Sequence, residues 1–133
     1  MADSVEFELV SPERLLLSKS VEMVVVPGSE GDFGVLPRHA PLISTIRPGI
    51  IRVYEGGQVT DQIFVAGGFA EVTGTRCTVL AEEALPVADI DRAAVEKGMG
   101  DIRDDLQDAK SDDEREAIQH KLAVAEAKLQ ASS

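Results

Sequence analysis

The sequence predicts an α+β chain: an N-terminal antiparallel β-sandwich followed by a C-terminal antiparallel two-helix hairpin. Three observations carry this expectation. Up to about Pro86 the apolar residues recur with a period of two in short runs, Gly and Pro punctuate those runs at regular intervals, and beyond Pro86 the apolar period lengthens to that of an α-helix. The expected division is residues 1–87 for the sandwich and 88–133 for the hairpin.

"VEFELV" alternates, with Val5, Phe7 and Leu9 on one face and Glu6 and Glu8 on the other, so it reads as a half-buried strand. "SVEMVVVP" is richer in β-branched residues and suits a strand covered on both faces. "GIIRVYEGGQVTDQIFVAGG" holds two extended runs around Glu55-Gly56-Gly57, a hairpin signal. "GFAEVTGTRCTVLAEE" repeats that pattern around Gly74-Thr75 and places Cys77, Val79 and Ala81 on one face. Beyond Pro86, Asp89 is positioned to cap a first helix whose stripe is Val95, Ile102, Leu106 and Ala109. Gly98 and Gly100 weaken that helix by roughly 1 kcal/mol each relative to Ala. Ser111 with Glu114 forms a capping box, so a second helix starts there, with Ile118, Leu122, Ala125 and Leu129 as its stripe. Both stripes are narrow and rich in small residues, which suits two helices packed closely and antiparallel.

The formal net charge of −11 over 133 residues leaves no basic stripe, which argues against a nucleic-acid partner and favours a partner with basic patches. A single cysteine, Cys77, precludes an internal disulfide and reads as a small buried hydrophobe. "MADSVEFELV" lacks the plan of a signal peptide, and no apolar run approaches a membrane span, so any membrane association is expected only through a partner.

The segment from Gly28 to Gly49, "GSEGDFGVLPRHAPLISTIRPG", poses the functional question. A phosphate-binding loop needs Lys-Ser/Thr after its last glycine, but Gly34 precedes Val35, and Glu30 and Asp32 would repel phosphate. A catalytic site at His39 lacks a recognisable nucleophile, and two scattered histidines, His39 and His120, are too few for a metal site. No metal or other cofactor is expected. What remains is a set of turns. Gly28, Gly31 and Gly34 permit positive φ or close backbone approach, and Pro37 and Pro41 hold Leu36 and Ala40 extended. Such a surface segment suits recognition.

These residues resemble a known family. Pro27-Gly28, Gly34 to Pro37, His39 to Leu42, Pro48-Gly49 and Gly67 to Val72, in this order, are similar to the recurring pattern of the epsilon subunit of bacterial F-type ATP synthases, the counterpart of the mitochondrial delta subunit. With the change from strands to two helices, the resemblance covers essentially the whole chain. It implies a non-catalytic rotor part of the F1 complex, peripheral on the cytoplasmic face of the bacterial inner membrane. The sandwich would grip the gamma subunit and rest on the polar loops of the c-ring of Fo. Carried over, Ser29, Glu30, Gly31 and Asp32, with His39 nearby, are the candidates for ring contact. The hairpin implies a regulatory arm that could reach the alpha and beta catalytic subunits. In some members it binds ATP through Ile/Leu-Asp-x-x-Arg-Ala. Here Ile90, Asp91 and Arg92 begin that motif, but Ala94 stands at the arginine position and Val95 follows it, so the nucleotide site is degenerate.

Two readings from other classes stay open at this level. One is a free-standing sandwich that binds a ligand and oligomerises through its helices; the absence of Trp and the scarcity of aromatic residues weigh against carbohydrate recognition. The other is a small hydrolase built on Asp32 and His39, which lacks a nucleophile elbow.

Overall fold

The computed structural model describes residues 4–132 and divides the chain into two compact units, one up to Pro86 and one from Val87 onward. Among the described residues, the first unit holds ten strands. They are β1 (Val5–Val10), β2 (Leu15–Val21), β3 (Met23–Gly28), β4 (Gly31–Val35), β5 (Leu42–Ile46), β6 (Gly49–Glu55), β7 (Gln58–Val65), β8 (Gly68–Val72), β9 (Arg76–Ala81) and β10 (Ala84–Pro86). They join in the order β10-β7-β6-β3-β5-β8-β9-β1-β2, with β4 on the other side of β3. The link between β3 and β5 is one residue pair, Gly28 and Ile46, and there the sheet turns over into two layers.

The core lies between the layers. Val5, Phe7, Leu9, Val72, Cys77 and Val79 meet Val24, Val26, Ile51, Val53 and Val65, all nearly inaccessible to water. The alternation expected for β1 and for the run around Cys77 is therefore the buried face of the sandwich. At roughly 1.5–3 kcal/mol for each fully buried large apolar side chain, this interface is the main stabilising term of the unit.

Three expectations need correction. "SVEMVVVP" is two strands, because β2 ends at Val21 and β3 begins at Met23. Glu22 interrupts them; its N–H donates to the Tyr54 carbonyl, and its carboxylate accepts the Gly57 N–H. β3 is not covered on both faces: Val24 and Val26 are buried while Met23 and Val25 are half-buried, since only one face meets the other layer. The sheet is also not wholly antiparallel, because β1 runs parallel to β9.

An ion cluster ties the layers together at one end. Lys19 on β2 pairs with Phe7 across the strands and so leans to the core side, where its Nζ donates to Asp61 at 2.7 Å and Glu55 at 2.8 Å. These hydrogen bonds, first to Asp61 and then to Glu55, hold the ammonium above its ordinary range. Glu55 is held below its ordinary range by the hydrogen bond from Lys19 and then by that from Thr60. An inward-facing charge on a terminal strand also blunts that edge against pairing with other chains.

In the second unit a short 3-10 turn, Val87–Asp89, precedes α1 (Arg92–Gln107) and α2 (Asp112–Ala131). The first helix is capped by Asp91, whose side chain accepts the Ala94 N–H, and not by Asp89, which lies in the preceding turn. The second is capped by Ser111, which accepts the Glu114 N–H at 3.1 Å. Glu114 reaches back one residue further than a standard capping box and accepts the Lys110 N–H. The apolar stripes on both helices are half-buried or buried as expected; Met99, which the spacing argument passed over, is the most buried residue of α1.

Candidate functional site

The glycine-rich segment is a β-hairpin. β3 and β4 pair from Val24–Val35 to Gly28–Gly31, leaving Ser29 and Glu30 as a two-residue tip. The tip needs its glycines for two separate reasons. Gly31 has φ 134°, and a Cβ on Gly28 would lie 2.8 Å from the Gly31 carbonyl oxygen and 2.9 Å from the Phe33 ring. Gly34 has neither requirement, so the expected series of three special glycines reduces to two.

The tip is braced. The Ser29 N–H donates to the Thr45 carbonyl, and the Arg47 N–H donates to the Pro27 carbonyl. The Arg47 guanidinium donates to the Gly28 carbonyl through Nη1 and to Asp32 Oδ1 through Nη2, each at 2.5 Å. Glu30 is exposed and, among the described residues, has no hydrogen-bond or ion-pair partner. Between the hairpin and β5 runs an open groove of about 490 Å³, lined by residues 28–33 and 42–45. Phe33, Leu42 and Ile43 supply its apolar surface, and Glu30 and Asp32 its charge.

The structure thus brings Ser29, Glu30, Gly31 and Asp32 together and leaves His39 apart. His39 follows the far end of β4, and its N–H closes a turn onto the Leu36 carbonyl. Pro37 at the second position and Arg38 with φ 66° at the third give that turn type II character. His39 Nδ1 lies 2.7 Å from the carbonyl oxygen of Ala40. Asp32 is paired with Arg47, and the Ser44 hydroxyl donates to the Thr45 carbonyl. No Asp–His–nucleophile arrangement is assembled from these residues. Burial pushes the Cys77 thiol up to about 12, so it stays protonated and offers no thiolate. Among the described residues, no three His, Cys, Asp or Glu side chains group as metal ligands.

A second surface lies on the outer face of β5-β8-β9-β1-β2. Strand register sets Thr45 beside Phe69, Phe69 beside Leu80, Leu80 beside Val10 and Val10 beside Leu15. Phe69, Leu80 and Leu15 are 46%, 40% and 54% exposed, so with Val10 they form an apolar row across four strands, β8, β9, β1 and β2, open to solvent, with Thr45 at its β5 end. One step along the same face, Glu71, Thr78, the Arg76–Glu8 ion pair and Ser20 with Glu6 make a polar border. Sequence reasoning missed this row. The signal was present in apolar residues at the outward positions of alternating strands, Phe69 against Ala70 and Leu80 against Val79. Reading it required the register that aligns them.

At the start of α1, Ile90 is half-buried and its N–H donates to the Val87 carbonyl. Asp91 is occupied as the helix cap. Arg92 donates to the Leu129 carbonyl at 2.9 Å and to the Ser132 hydroxyl at 3.3 Å, and its Nε lies 3.3 Å from Glu96. It therefore clasps the C-terminal end of α2, where a cation is favoured by the exposed carbonyls. Sequence reasoning did not anticipate this clasp, because it joins residues 37 to 40 positions apart.

Comparison with known proteins assigns both units. Residues 4–87 match the family described as ATP synthase, Delta/Epsilon chain, beta-sandwich domain, and residues 91–133 match the C-terminal domain of the ATP synthase epsilon chain. The chain is 60% identical over 134 residues to the ATP synthase epsilon chain of Rhodospirillum centenum, covering 97% of this chain and 92% of the relative. It is 57% identical over 131 residues to that of Rhodospirillum rubrum, covering 98% of each. Among solved structures it superposes with TM-score 0.84 and 26% identity on a chain of the Euglena gracilis mitochondrial ATP synthase (OSCP/F1/c-ring), covering 100% of this chain and 84% of that one. It shares its fold, at 13% identity and TM-score 0.75, with a chain of the Tetrahymena thermophila mitochondrial ATP synthase central stalk and c-ring, covering 97% and 96%. With both family domains present in tandem across the described residues and near-complete alignment to bacterial relatives, the chain belongs to the ATP synthase epsilon chain family.

Proposed function

We propose that this chain is the non-catalytic central-stalk subunit of a bacterial F1Fo ATP synthase, coupling proton-driven rotation of the c-ring to ATP synthesis. The observation that carries the reading is the family match over both units, at up to 60% identity to a relative named as an epsilon chain. The geometry supplies two surfaces of the kinds such a part needs. The solvent-open apolar row from Phe69 to Leu15, bordered by the Arg76–Glu8 ion pair, suits a lasting contact with the gamma subunit. The hairpin tip, with Ser29, Glu30, Gly31 and Asp32 along one groove, suits a polar contact with basic loops of the c-ring. His39, away from that groove, is a weaker candidate for the ring contact. The complex, and not a membrane span, then holds the chain at the cytoplasmic face of the inner membrane; no described helix is long and apolar enough to cross it.

The test is affinity purification of the tagged full-length protein from detergent-solubilised membranes, followed by replacement of Glu30 and Asp32 by Lys in membrane vesicles. Co-purification of the alpha, beta and gamma subunits with the c-ring is expected. The double replacement should reduce proton-driven ATP synthesis and leave hydrolysis by the detached head unchanged, since exposed ion pairs contribute about 0.2–1 kcal/mol each. A protein that purifies without ATPase subunits would sink the reading.

A further inference from the structure

Of the two acids at the hairpin tip, only Asp32 is held in place by the protein itself. We propose that Arg47 is a positioning residue of the tip. It ties down the Gly28 carbonyl and one oxygen of Asp32, so that the tip keeps one shape and the second carboxylate oxygen is presented to a basic side chain of the docking partner. The proposal rests on the reading of this tip as a docking surface.

Four contacts converge on the same few residues. Arg47 Nη1 donates to Gly28 and Nη2 to Asp32 Oδ1, the Arg47 N–H donates to Pro27, and the Ser29 N–H donates to Thr45. Together they stitch the tip of the β3–β4 hairpin to the end of β5, at the single residue pair where the sheet turns over. A free two-residue tip on a two-stranded ribbon would sample several shapes, and its side chains would lose entropy on docking. A braced tip has met part of that cost beforehand. The guanidinium suits the task because its fork reaches a carbonyl and a carboxylate at once, which a single ammonium does less well. Asp32 Oδ2 has no partner among the described residues, and the pair remains 43% and 47% exposed, so a second cation can approach. Phe33, Leu42 and Ile43 along the groove offer apolar surface for the stem of an arginine or lysine from that partner. Glu30, unbraced at the turn, adds charge without fixed geometry.

The experiment compares the native full-length protein with Arg47→Ala, Arg47→Lys, Asp32→Asn, Glu30→Gln and the Asp32→Asn/Arg47→Ala and Glu30→Gln/Arg47→Ala pairs. Affinity for purified c-ring is measured across a salt series, and amide hydrogen exchange is followed in the unbound protein. Arg47→Ala and Asp32→Asn should each lower ring affinity about threefold to fivefold. The Asp32→Asn/Arg47→Ala pair should lose no more than either alone, and Arg47→Lys should recover part of the loss. Glu30→Gln combined with Arg47→Ala should instead be additive. In the unbound Arg47→Ala protein, exchange at Ser29 should quicken about tenfold while the amides of Phe7 and Val79 stay protected, which shows that the sandwich is intact. If Arg47→Ala leaves both ring affinity and exchange at Ser29 unchanged while Asp32→Asn lowers affinity, the positioning role is wrong and the docking surface stands. Additive losses in the Asp32/Arg47 pair overturn it equally. If the native protein binds the ring and neither Asp32→Asn nor Glu30→Gln changes the affinity, the tip is not the docking surface and both readings fail.

Discussion

Gly68 shows how one backbone position can control a whole layer. It begins β8 with φ 133°, directly after Gly67 with φ 138°. A Cβ there would lie 2.0 Å from the Leu80 carbonyl oxygen, which is backbone and cannot rotate away. The β8–β9 pairing that starts at Gly68 and Ala81 places Phe69 next to Leu80 in the apolar row. Gly68→Ala combines a conformation strained for any side chain, about 1–3 kcal/mol, with overpacking of similar size. The expected outcome is a loss of roughly 3 kcal/mol or more, read as a lower urea midpoint by circular dichroism. A change below about 1 kcal/mol would mean that β8 can shift to relieve the clash. Cys77 illustrates the opposite case. Its identity as a buried apolar residue was legible from alternation alone, and the structure adds only that its thiol is kept neutral.

Among the elements, the start of α1 carries the sharpest functional consequence. Ile90, Asp91 and Arg92 stand where the family resemblance implies the start of a nucleotide motif, and Ala94 departs from it at the arginine position. The fold gives the remaining polar groups other work: Asp91 caps its own helix, and Arg92 is bonded to the end of α2. A phosphate would have to displace these contacts without the missing arginine, whose charge-assisted hydrogen bond contributes roughly 1.5–3 kcal/mol. We therefore predict that the isolated protein binds ATP weakly or not at all; micromolar binding by titration calorimetry would contradict this. Sequence spacing located both helices and the Ser111 cap, because these depend on contacts within about one turn. It misplaced the first cap at Asp89 because two acids, two residues apart, satisfy the same local rule. The intervening 3-10 turn decides between them.

For the whole molecule, the open question is whether the hairpin restrains the catalytic head. From residue 89 onward it carries twelve acidic and seven basic residues, a formal −5. Like charges at about 4 Å repel by about 1 kcal/mol in water and more where solvent is excluded. Gly98 and Gly100, both with open space where a Cβ would stand, further weaken an α1 removed from its partner helix. The Arg92 clasp favours the closed hairpin. If, as the family resemblance implies, the extended arm inserts beside an acidic segment of the catalytic subunits, its own net negative charge disfavours that insertion, and we predict that inhibition is weak. The measurement is ATP hydrolysis by the soluble catalytic complex rebuilt with the full-length protein or with a version ending at Val87. Similar rates are expected, and a several-fold rise on truncation would overturn the idea.

The sequence by itself determined the α+β class, the change of period near Pro86, the inward faces of β1 and β9, and the second helix with its cap. Each depends on neighbours within a few residues, where periodicity and capping chemistry act. It also determined that Glu30 and Asp32 stand together in a glycine-rich segment. Only the tertiary structure decided that this segment is a braced hairpin, that Arg47 reaches back to Asp32, and that His39 is elsewhere. It alone aligned Phe69, Leu80, Val10 and Leu15 into one row, and it alone set the parallel pairing of β1 with β9. These depend on strand register and on which distant segments become neighbours. A one-residue shift in register leaves the sequence pattern of each strand unchanged but sends every side chain to the opposite face.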